Sequence, residues 1–313
     1  MLDDTLTSLG YGLVDLFTPV KITDTSYIMN NGKMVVGFDK NMAPMTYYDK
    51  NGQLTGFDID FAKAVCKQLG IEAEFKPVEW SEKENELNNR NIDCIWSCFS
   101  ITEKRREIIK FSRVYMNNKQ IVVIRKSNII KYHSLESISE AKLSFKIGTL
   151  GETAIMKFFP NGNYQGFESI EDAFTELQNG KADVVAIDYT IAKDKINNGG
   201  FSDLMIVESI KLMNDQYAIG FHHGSDMSKK INAVIKNMMS DGTLNAIAEK
   251  YDLLNLYTKK EQLSTLKVML FFFYIIILCV HCSSLIFKYI YILLLLLLLV
   301  MKTKSELFLN FNY

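Results

Sequence analysis

The stretch WSCFSITEKRR, residues 96–106, joins the end of an apolar run to a burst of charged residues. It carries hydroxyl side chains, among them Ser100 and Thr102, and then places Arg105 one turn into a predicted helix. A guanidinium can donate two parallel hydrogen bonds to a carboxylate, and the free N–H groups at the start of a helix favour an anion. The stretch therefore has the parts of a carboxylate-binding site. The alternative is that Arg105 and Arg106 are solvated helix charges, and the residues alone leave both interpretations open.

The sequence around this stretch alternates predicted strands and helices. KMVVGF (33–38) is typical of a buried strand. FAKAVCKQLG (61–70) has helical spacing, with Asp60 placed to cap the helix and Gly70 placed to end it. This alternation predicts an α/β fold with layers around a mostly parallel sheet.

The second half of the chain repeats the plan of the first. ELNNRNIDCI (86–95) and ELQNGKADVV (176–185) share Glu-Leu, then Asn, then Asp at equal spacing, and both run from a predicted helix into a predicted strand. We therefore predict two lobes built from similar units. Two such lobes with a cleft between them form either a binding protein or a two-domain enzyme.

Composition narrows the classes of function. The 313 residues are 48% hydrophobic, which is enough for two modest domains, and the net charge of −1 gives no general attraction to nucleic acid. The sequence contains no Walker loop, no G-x-S-x-G elbow, no H-E-x-x-H and no dinucleotide fingerprint. These absences favour a binding protein that uses no cofactor and binds no nucleic acid, and the residues alone also leave a two-domain enzyme open.

The cysteines give no clear signal about the compartment. Cys94 and Cys98 lie on one predicted strand, where four residues span roughly 13 Å, whereas bonded cysteines need Cα atoms within about 7 Å. With Cys66 the upstream part of the chain has three cysteines, which cannot all pair. We predict buried free thiols.

An acidic residue in the second half suits the opposite end of a ligand. VVAIDY places Asp188 at the C-terminal end of a predicted strand, where α/β sheets bind ligands. A carboxylate there could bind an ammonium group, although Asp188 could equally cap the following helix, YTIAKDK. Together with Arg105, it would suit a zwitterion held between two lobes.

Both ends of the sequence are unusual. The first residues, MLDDTLTSLGYGLVDLF, show acidic side chains where a signal peptide needs positive charge, so no export signal is visible. VMLFFFYIIILCVHCSSLIF (268–287) is long enough, at roughly 30 Å, to cross a bilayer core. We predict a membrane segment over 266–301, with either one span or two, followed by a short tail over 302–313.

Several motifs, in this order, resemble the solute-binding proteins of ABC importers for polar amino acids. They are APMTYYDKNGQLTGFDIDFAKAV (43–65), IDCIWSCFSITEKRREIIKFSRVY (92–115), ADVVAIDYTIA (182–192) and SDGTLNAIAEKY (240–251). The resemblance covers roughly residues 33–252. It implies a periplasmic-binding-protein-like fold, with two α/β lobes joined by two hinge strands.

The resemblance also implies lobe boundaries. It places a first lobe at 33–116 with 214–257 and a second lobe at 117–213. Residues 1–32 have no counterpart in the family, and we treat them as an extension of unknown role.

The resemblance implies a set of ligand-binding residues. Arg105 is similar to the arginine that binds the ligand α-carboxylate, and Asp188 is similar to the aspartate that binds the α-ammonium group. Ser100 matches a hydroxyl contact, and Ser97 and Cys98 match a segment whose backbone or hydroxyl contacts the α-ammonium group. Thr153 resembles a carboxylate ligand of the second lobe. The positions that select the ligand side chain are those of Asp39, Met42 and Trp80. Cys98 and Met42 depart from the residue types that are common at their positions. Asp39 and Glu79 favour an amide or cationic ligand side chain.

The function implied is extracytoplasmic binding of a free polar amino acid for delivery to the permease of an ABC importer. The membrane segment would tether the protein to the outer face of the cell membrane. Two other classes stay open: the ligand-sensing domain of a membrane signalling protein, and an enzyme on the same fold, such as a dehydratase.

Overall fold

A computed structural model of the chain describes residues 23–256, and within them helices and strands alternate. The helices are α1 (Asp24–Asn31), α2 (Phe57–Leu69), α3 (Lys83–Asn88), α4 (Glu103–Ile108), α5 (Leu150–Phe158), α6 (Ile170–Gln178), α7 (Tyr189–Asn198), α8 (Met227–Ser240) and α9 (Thr243–Lys250). The strands are β1 (Lys33–Phe38), β2 (Asn41–Met42), β3 (Thr46–Tyr48), β4 (Leu54–Thr55), β5 (Glu72–Pro77), β6 (Cys94–Ile95), β7 (Ile109–Phe111), β8 (Met116–Arg125), β9 (Lys142–Lys146), β10 (Asn163–Phe167), β11 (Val184–Asp188), β12 (Leu204–Tyr217) and β13 (Gly220–His222).

Two five-stranded sheets organise these elements. The first has the order β5-β1-β6-β13-β7 and the second has the order β10-β9-β11-β8-β12. In each sheet the three strands that come first in the order are parallel, and the remaining pairings are antiparallel. A small antiparallel sheet, β2-β3-β4, accompanies the first. The predicted α/β fold with two similar lobes is therefore confirmed.

The chain passes between the two sheets twice. It leaves the first sheet at β7 to enter β8, and it leaves the second sheet at β12 to enter β13. β8 and β12 pair antiparallel, with Met116 opposite Tyr217 and Arg125 opposite Leu204. We call the parts around the two sheets the first lobe and the second lobe. The residue boundaries inferred from the resemblance, 33–116 with 214–257 and 117–213, stay a prediction.

Helix α2 shows how burial overrides a sequence signal. The structure begins the helix at Phe57 with Gly56 as the N-cap, because Phe57 and Ile59 are fully buried in the core. The prediction that Asp60 caps this helix is wrong: Asp60 lies inside the first turn and accepts hydrogen bonds from Lys250 Nζ (2.6 Å) and Tyr251 Oη (2.7 Å). Gly70 ends the helix with φ of 73°, as predicted.

The cysteines of the described residues are buried free thiols, as predicted: Cys66, Cys94 and Cys98. Within residues 23–256, no helix combines the length and the apolar composition that a membrane crossing needs. The predicted membrane segment at 266–301, the tail at 302–313 and most of the extension at 1–32 lie outside the described residues.

Candidate functional site

A small pocket lies where the two lobes meet, and residues from both surround it. Its lining residues are Met42, Trp80, Cys98, Ser100, Arg105, Thr149, Leu150 and Asp188. The pocket therefore brings together Arg105 and Asp188, which the sequence assigned to opposite ends of a ligand. It also includes four of the other predicted residues, namely Ser100, Cys98, Trp80 and Met42.

Arg105 is fixed at the entrance to α4. The hydroxyl of Thr102, the N-cap residue, accepts a hydrogen bond from the Arg105 N–H at 3.1 Å. The guanidinium lies over the ring of Phe99, 4.5 Å from its centroid, and donates to Ser100 O (2.9 Å) and Gly148 O (3.0 Å). Its side chain is 12% exposed, whereas that of Arg106 is 51% exposed. The solvated-charge interpretation therefore fits Arg106 and not Arg105.

A second cation and an acid accompany Arg105, and the sequence reasoning missed both. Lys83 is buried and donates to Trp80 O (2.8 Å) and to Gly148 O (3.0 Å). Glu84 accepts from Lys83 Nζ (2.9 Å) and from Arg105 Nε (3.1 Å). Burial, and then the charge of Arg105, lower the pKa of Lys83 to about 8. Glu84 thus balances two cations that both reach the same carbonyl of the second lobe.

Asp188 ends β11 and occupies the N-cap position of α7. Its side chain makes no capping hydrogen bond, so the capping interpretation is wrong. Instead, Asp188 Oδ1 accepts from Asn118 Nδ2 (2.8 Å), Gln120 Nε2 (2.8 Å) and Tyr217 Oη (2.6 Å). These donors stand on β8 and β12 and hold the carboxylate at the pocket wall.

Asp215 lies beside Asp188 and was also missed from the sequence. Its Oδ2 accepts from Ser100 Oγ (3.2 Å), and Asn118 and Gln120 donate to it as well. Burial is the main cause that raises the pKa of Asp215 to about 7, followed by the neighbouring Asp188.

Asp39 is buried near the pocket and is paired with a lysine of the other lobe. Lys146 Nζ donates to Asp39 Oδ2, and both side chains are less than one-tenth exposed. The Ser97 hydroxyl accepts from the Asp39 N–H (3.2 Å) and bonds with Thr46 Oγ1 (2.6 Å). Ser97 and Asp39 are therefore held by one another and by Lys146, and neither is one of the lining residues of the pocket.

Cys98 has a left-handed backbone, with φ of 48°. Its N–H donates to Asp58 Oδ2 at 2.8 Å, and this buried carboxyl group fixes the turn. Burial raises the pKa of Asp58 to about 7, against hydrogen bonds from Cys98, Tyr115 and Trp96 that lower it. Burial also raises the pKa of the Cys98 thiol well above its usual range, so this thiol stays protonated.

Thr153 lies away from the pocket. It is exposed, and its hydroxyl bonds to Thr149 O at 3.5 Å. Helix α5 begins directly after Thr149, its N-cap, so Thr149 and Leu150 occupy the pocket wall while Thr153 lies one turn further on. Its role as a carboxylate ligand stays a prediction that this arrangement does not support. Glu79 is likewise exposed.

Local signals could have found some of the missed residues. Asn118 and Gln120 directly precede the apolar run of β8 and lie two residues apart, so both point to one face of the strand and mark a polar site. Lys146 and Asp215 carry no comparable signal, because their partners are distant in sequence. Lys83 lies next to Glu84, but the carbonyl that it reaches in the second lobe, that of Gly148, is 65 residues away. Among residues 23–256, no group of three His, Cys, Asp or Glu side chains could hold a metal ion.

A family model described as "Bacterial extracellular solute-binding proteins, family 3" matches residues 34–165 and 167–253. The glutamine-binding protein GlnH of Bacillus subtilis is 30% identical over 230 residues, which cover 72% of this chain and 82% of the relative. The L-cystine-binding protein TcyJ of Escherichia coli is 24% identical over 225 residues, which cover 72% and 84%.

Solved structures share the fold. A substrate-binding protein of an ABC uptake transporter from Streptococcus pneumoniae, with bound histidine, has a TM-score of 0.70 and 29% identity, covering 75% of this chain and 98% of that one. An ancestral amino acid-binding protein, described as a precursor of cyclohexadienyl dehydratase, has a TM-score of 0.67 and 31% identity, covering 72% and 97%.

Proposed function

This chain belongs to the bacterial extracellular solute-binding proteins of family 3, and from that premise we propose that it binds a free polar amino acid between its two lobes. The observation that carries the proposal is that Arg105 and Asp188 line one pocket and come from different lobes. Arg105 would bind the α-carboxylate and Asp188 the α-ammonium group, so the ligand would bridge the lobes and stabilise a closed form.

We propose that the ligand side chain is polar and uncharged. The relatives include proteins named as binders of glutamine, cystine, histidine and arginine, so the family alone does not fix the choice. The pairing of Asp39 with Lys146 supports a neutral side chain, because the acid that could attract a cationic group is already neutralised. The uncharged surfaces of Met42, Trp80 and Leu150 in the pocket agree with this class.

Calorimetry with the twenty amino acids and cystine tests the proposal. We expect one or a few neutral polar amino acids to bind, and arginine and lysine to bind much more weakly. Two derivatives of the best ligand serve as matched controls: N-acetylation removes the ammonium charge and esterification removes the carboxylate. Each should weaken binding at least about 30-fold, which corresponds to about 2 kcal/mol for one lost partner of a buried charge pair. A ligand whose two derivatives bind as well as the parent amino acid would contradict the proposal.

We further propose that the protein works outside the cytoplasm and delivers its ligand to the permease of an ABC importer. The family description, which names extracellular proteins, supports the location. The sequence-predicted segment at 266–301 would tether the protein to the membrane. The relatives named above are described as binding proteins, and this supports a binding role over an enzymatic one.

A further inference from the structure

The Asp188 carboxylate has an acidic neighbour that the proposed ligand contacts do not use. Asp188 and Asp215 are each 4% exposed. Asn118 Nδ2 lies 2.8 Å from Asp188 Oδ1 and 3.1 Å from Asp215 Oδ2, and Gln120 Nε2 lies 2.8 Å and 2.9 Å from the same two atoms. Each amide nitrogen thus donates to both carboxyl groups. The two acids are held side by side on a shared set of donors.

The two acids differ in the oxygen that these donors do not reach. Each acid accepts a third hydrogen bond on the shared side, Asp188 Oδ1 from Tyr217 Oη and Asp215 Oδ2 from Ser100 Oγ. Asp215 Oδ1 is buried and has no hydrogen-bond partner among the described residues. The charged form of a buried carboxyl group is high in free energy when one of its oxygens has no hydrogen bond. Asp188 is therefore suited to be the anion of the pair, and Asp215 is suited to be the neutral acid.

The described residues do not supply a cation that bonds to this pair. The positive charge of Arg105 interacts with both Asp188 and Asp215. The hydrogen bonds of the Arg105 guanidinium, however, go to Glu84, Ser100 O and Gly148 O. The other titratable groups that interact with Asp215 are Asp188, Tyr217, Tyr115 and Cys98. The pKa of each of the last three is raised well above its usual range, so they stay neutral near pH 7. A cation that enters the pocket at Asp188 would thus lie beside a second, protonated acid, which is linked to the pocket by the hydroxyl of its lining residue Ser100.

We infer that Asp215 is a second acidic residue of the ammonium subsite, which holds a proton when the pocket is empty and releases it to solvent when the ammonium group of the ligand arrives. The inference rests on the proposed function and adds proton release to it. The step is balanced: the O–H bond of the Asp215 carboxyl group breaks, the proton goes to buffer, and the positive charge of the ligand replaces it. Asp215 would then face the ammonium group as an anion beside Asp188.

The pH dependence of binding follows from this exchange. The pKa of Asp215 is raised to about 7, so at pH 6 most empty molecules carry the proton, and at pH 7.5 most do not. Because only the deprotonated form is ready for the ligand, the apparent affinity should be about eightfold higher at pH 7.5 than at pH 6. Lys83, whose pKa is about 8, loses its positive charge as the pH rises. This loss would lower the affinity for the ligand, and it would do so mainly above pH 7.5.

The test is calorimetry on the full chain with its best amino-acid ligand, in several buffers of different ionisation enthalpy at pH 6 and pH 7.5. We expect release of close to one proton per ligand at pH 6 and a smaller fraction at pH 7.5. Asp215→Asn should release none, should lose the pH dependence of its affinity, and should bind at least about eightfold more weakly than the parent at pH 7.5.

Asp58→Asn is the matched control, because Asp58 is a second buried acid whose pKa is raised to about 7. Asp58 accepts from the Cys98 N–H, whereas Asp215 shares the donors Asn118 and Gln120 with Asp188, so the Asp58 variant should release the proton as the parent does. Release that persists in this control excludes Asp58 as the source of the proton.

Each outcome decides the inference. Binding by the parent without proton release, or loss of the release in Asp58→Asn alone, would overturn it and leave the proposed function intact. If no amino acid binds the parent, the proposed function fails and this inference fails with it.

Discussion

The guanidinium of Arg105 donates a hydrogen bond to the backbone carbonyl of Gly148, with 3.0 Å between Nη2 and the oxygen. Arg105 belongs to the first lobe and Gly148 to the second, so this bond joins the lobes at the edge of the pocket. Lys83 Nζ reaches the same carbonyl at 3.0 Å. The proposed carboxylate-binding residue is therefore also a closing contact, and a ligand that binds Arg105 would strengthen a conformation that this bond already favours.

Arg105→Lys should not be a mild change. Lysine keeps the charge but loses the planar fork and its two parallel hydrogen bonds. Truncating one partner of a buried, hydrogen-bonded charge pair costs about 2–5 kcal/mol, or roughly 30-fold to several-thousand-fold in affinity. We expect Arg105→Lys near the lower end of this range and Arg105→Ala near the upper end, measured by calorimetry with the best ligand.

Arg106→Ala provides the matched control for this pair of variants. Arg106 is half-exposed and its guanidinium lies 3.7 Å from the carboxylate of Glu103, which is itself exposed, so its removal should change affinity less than about threefold. If Arg105→Ala and Arg106→Ala bind the ligand as tightly as the parent does, and melt at the same temperature, then Arg105 does not bind the ligand.

Lys146→Met should change the preference for the ligand side chain. The variant leaves Asp39 as a buried acid without its cation, which costs about 3–5 kcal/mol in a typical buried ion pair. A cationic ligand could then supply the missing charge. We expect arginine and lysine to gain at least tenfold in affinity relative to a neutral amino acid.

Asp39→Asn combined with Lys146→Met is the control, because it removes both charges at once. The double variant should recover much of the lost stability in urea denaturation and should not gain affinity for arginine. A gain in the double variant as large as in Lys146→Met would show that Asp39 does not attract the ligand.

The sequence predicted the local parts of this protein well and the long-range pairs poorly. Thr102, Ser100 and Arg105 lie within one short stretch, so strand end, cap and helix could be inferred together. Lys146 is 107 residues from Asp39, and no period or spacing connects them. Thr153 was assigned by a motif, but the helix start at Thr149 decides which hydroxyl faces the pocket.

A chain that ends at Asp252 should be less stable than one that ends at Tyr257. Leu253 is 4% exposed and packs in the core, and Leu256 O accepts a hydrogen bond from the Asn117 N–H at 2.9 Å. Removal of a buried leucine side chain typically costs about 2–5 kcal/mol. Urea denaturation of residues 23–252 and 23–257 should show a difference of this order, in favour of the longer chain.

The same pair of chains bears on the sequence-predicted membrane segment. Residues 23–257 should be soluble and bind ligand, whereas the full chain should need detergent if residues 266–301 enter a membrane. A full chain that is soluble without detergent, while the shortened chain aggregates, would contradict the membrane prediction.

Asp58 should make the stability of the folded protein fall as pH rises. Burial raises its pKa to about 7 in the folded state, whereas the unfolded chain releases this proton near the usual value of 3.8. Between these two values the folded state binds more protons than the unfolded state. The free energy of unfolding therefore decreases with rising pH, by up to about 1.4 kcal/mol per pH unit for one group, and the decrease ends above the folded pKa.

Asp58→Asn carries no charge at any pH, and its amide oxygen can still accept from the Cys98 N–H. Urea denaturation from pH 5 to pH 8 should thus show a shallower decline in Asp58→Asn than in the parent. Asp215 adds a decline of the same sign to both proteins, so the difference between them isolates Asp58. Asp172→Asn, at an exposed position on α6, should follow the parent. Parallel profiles for the parent and Asp58→Asn would mean that Asp58 is charged in the folded protein across this range.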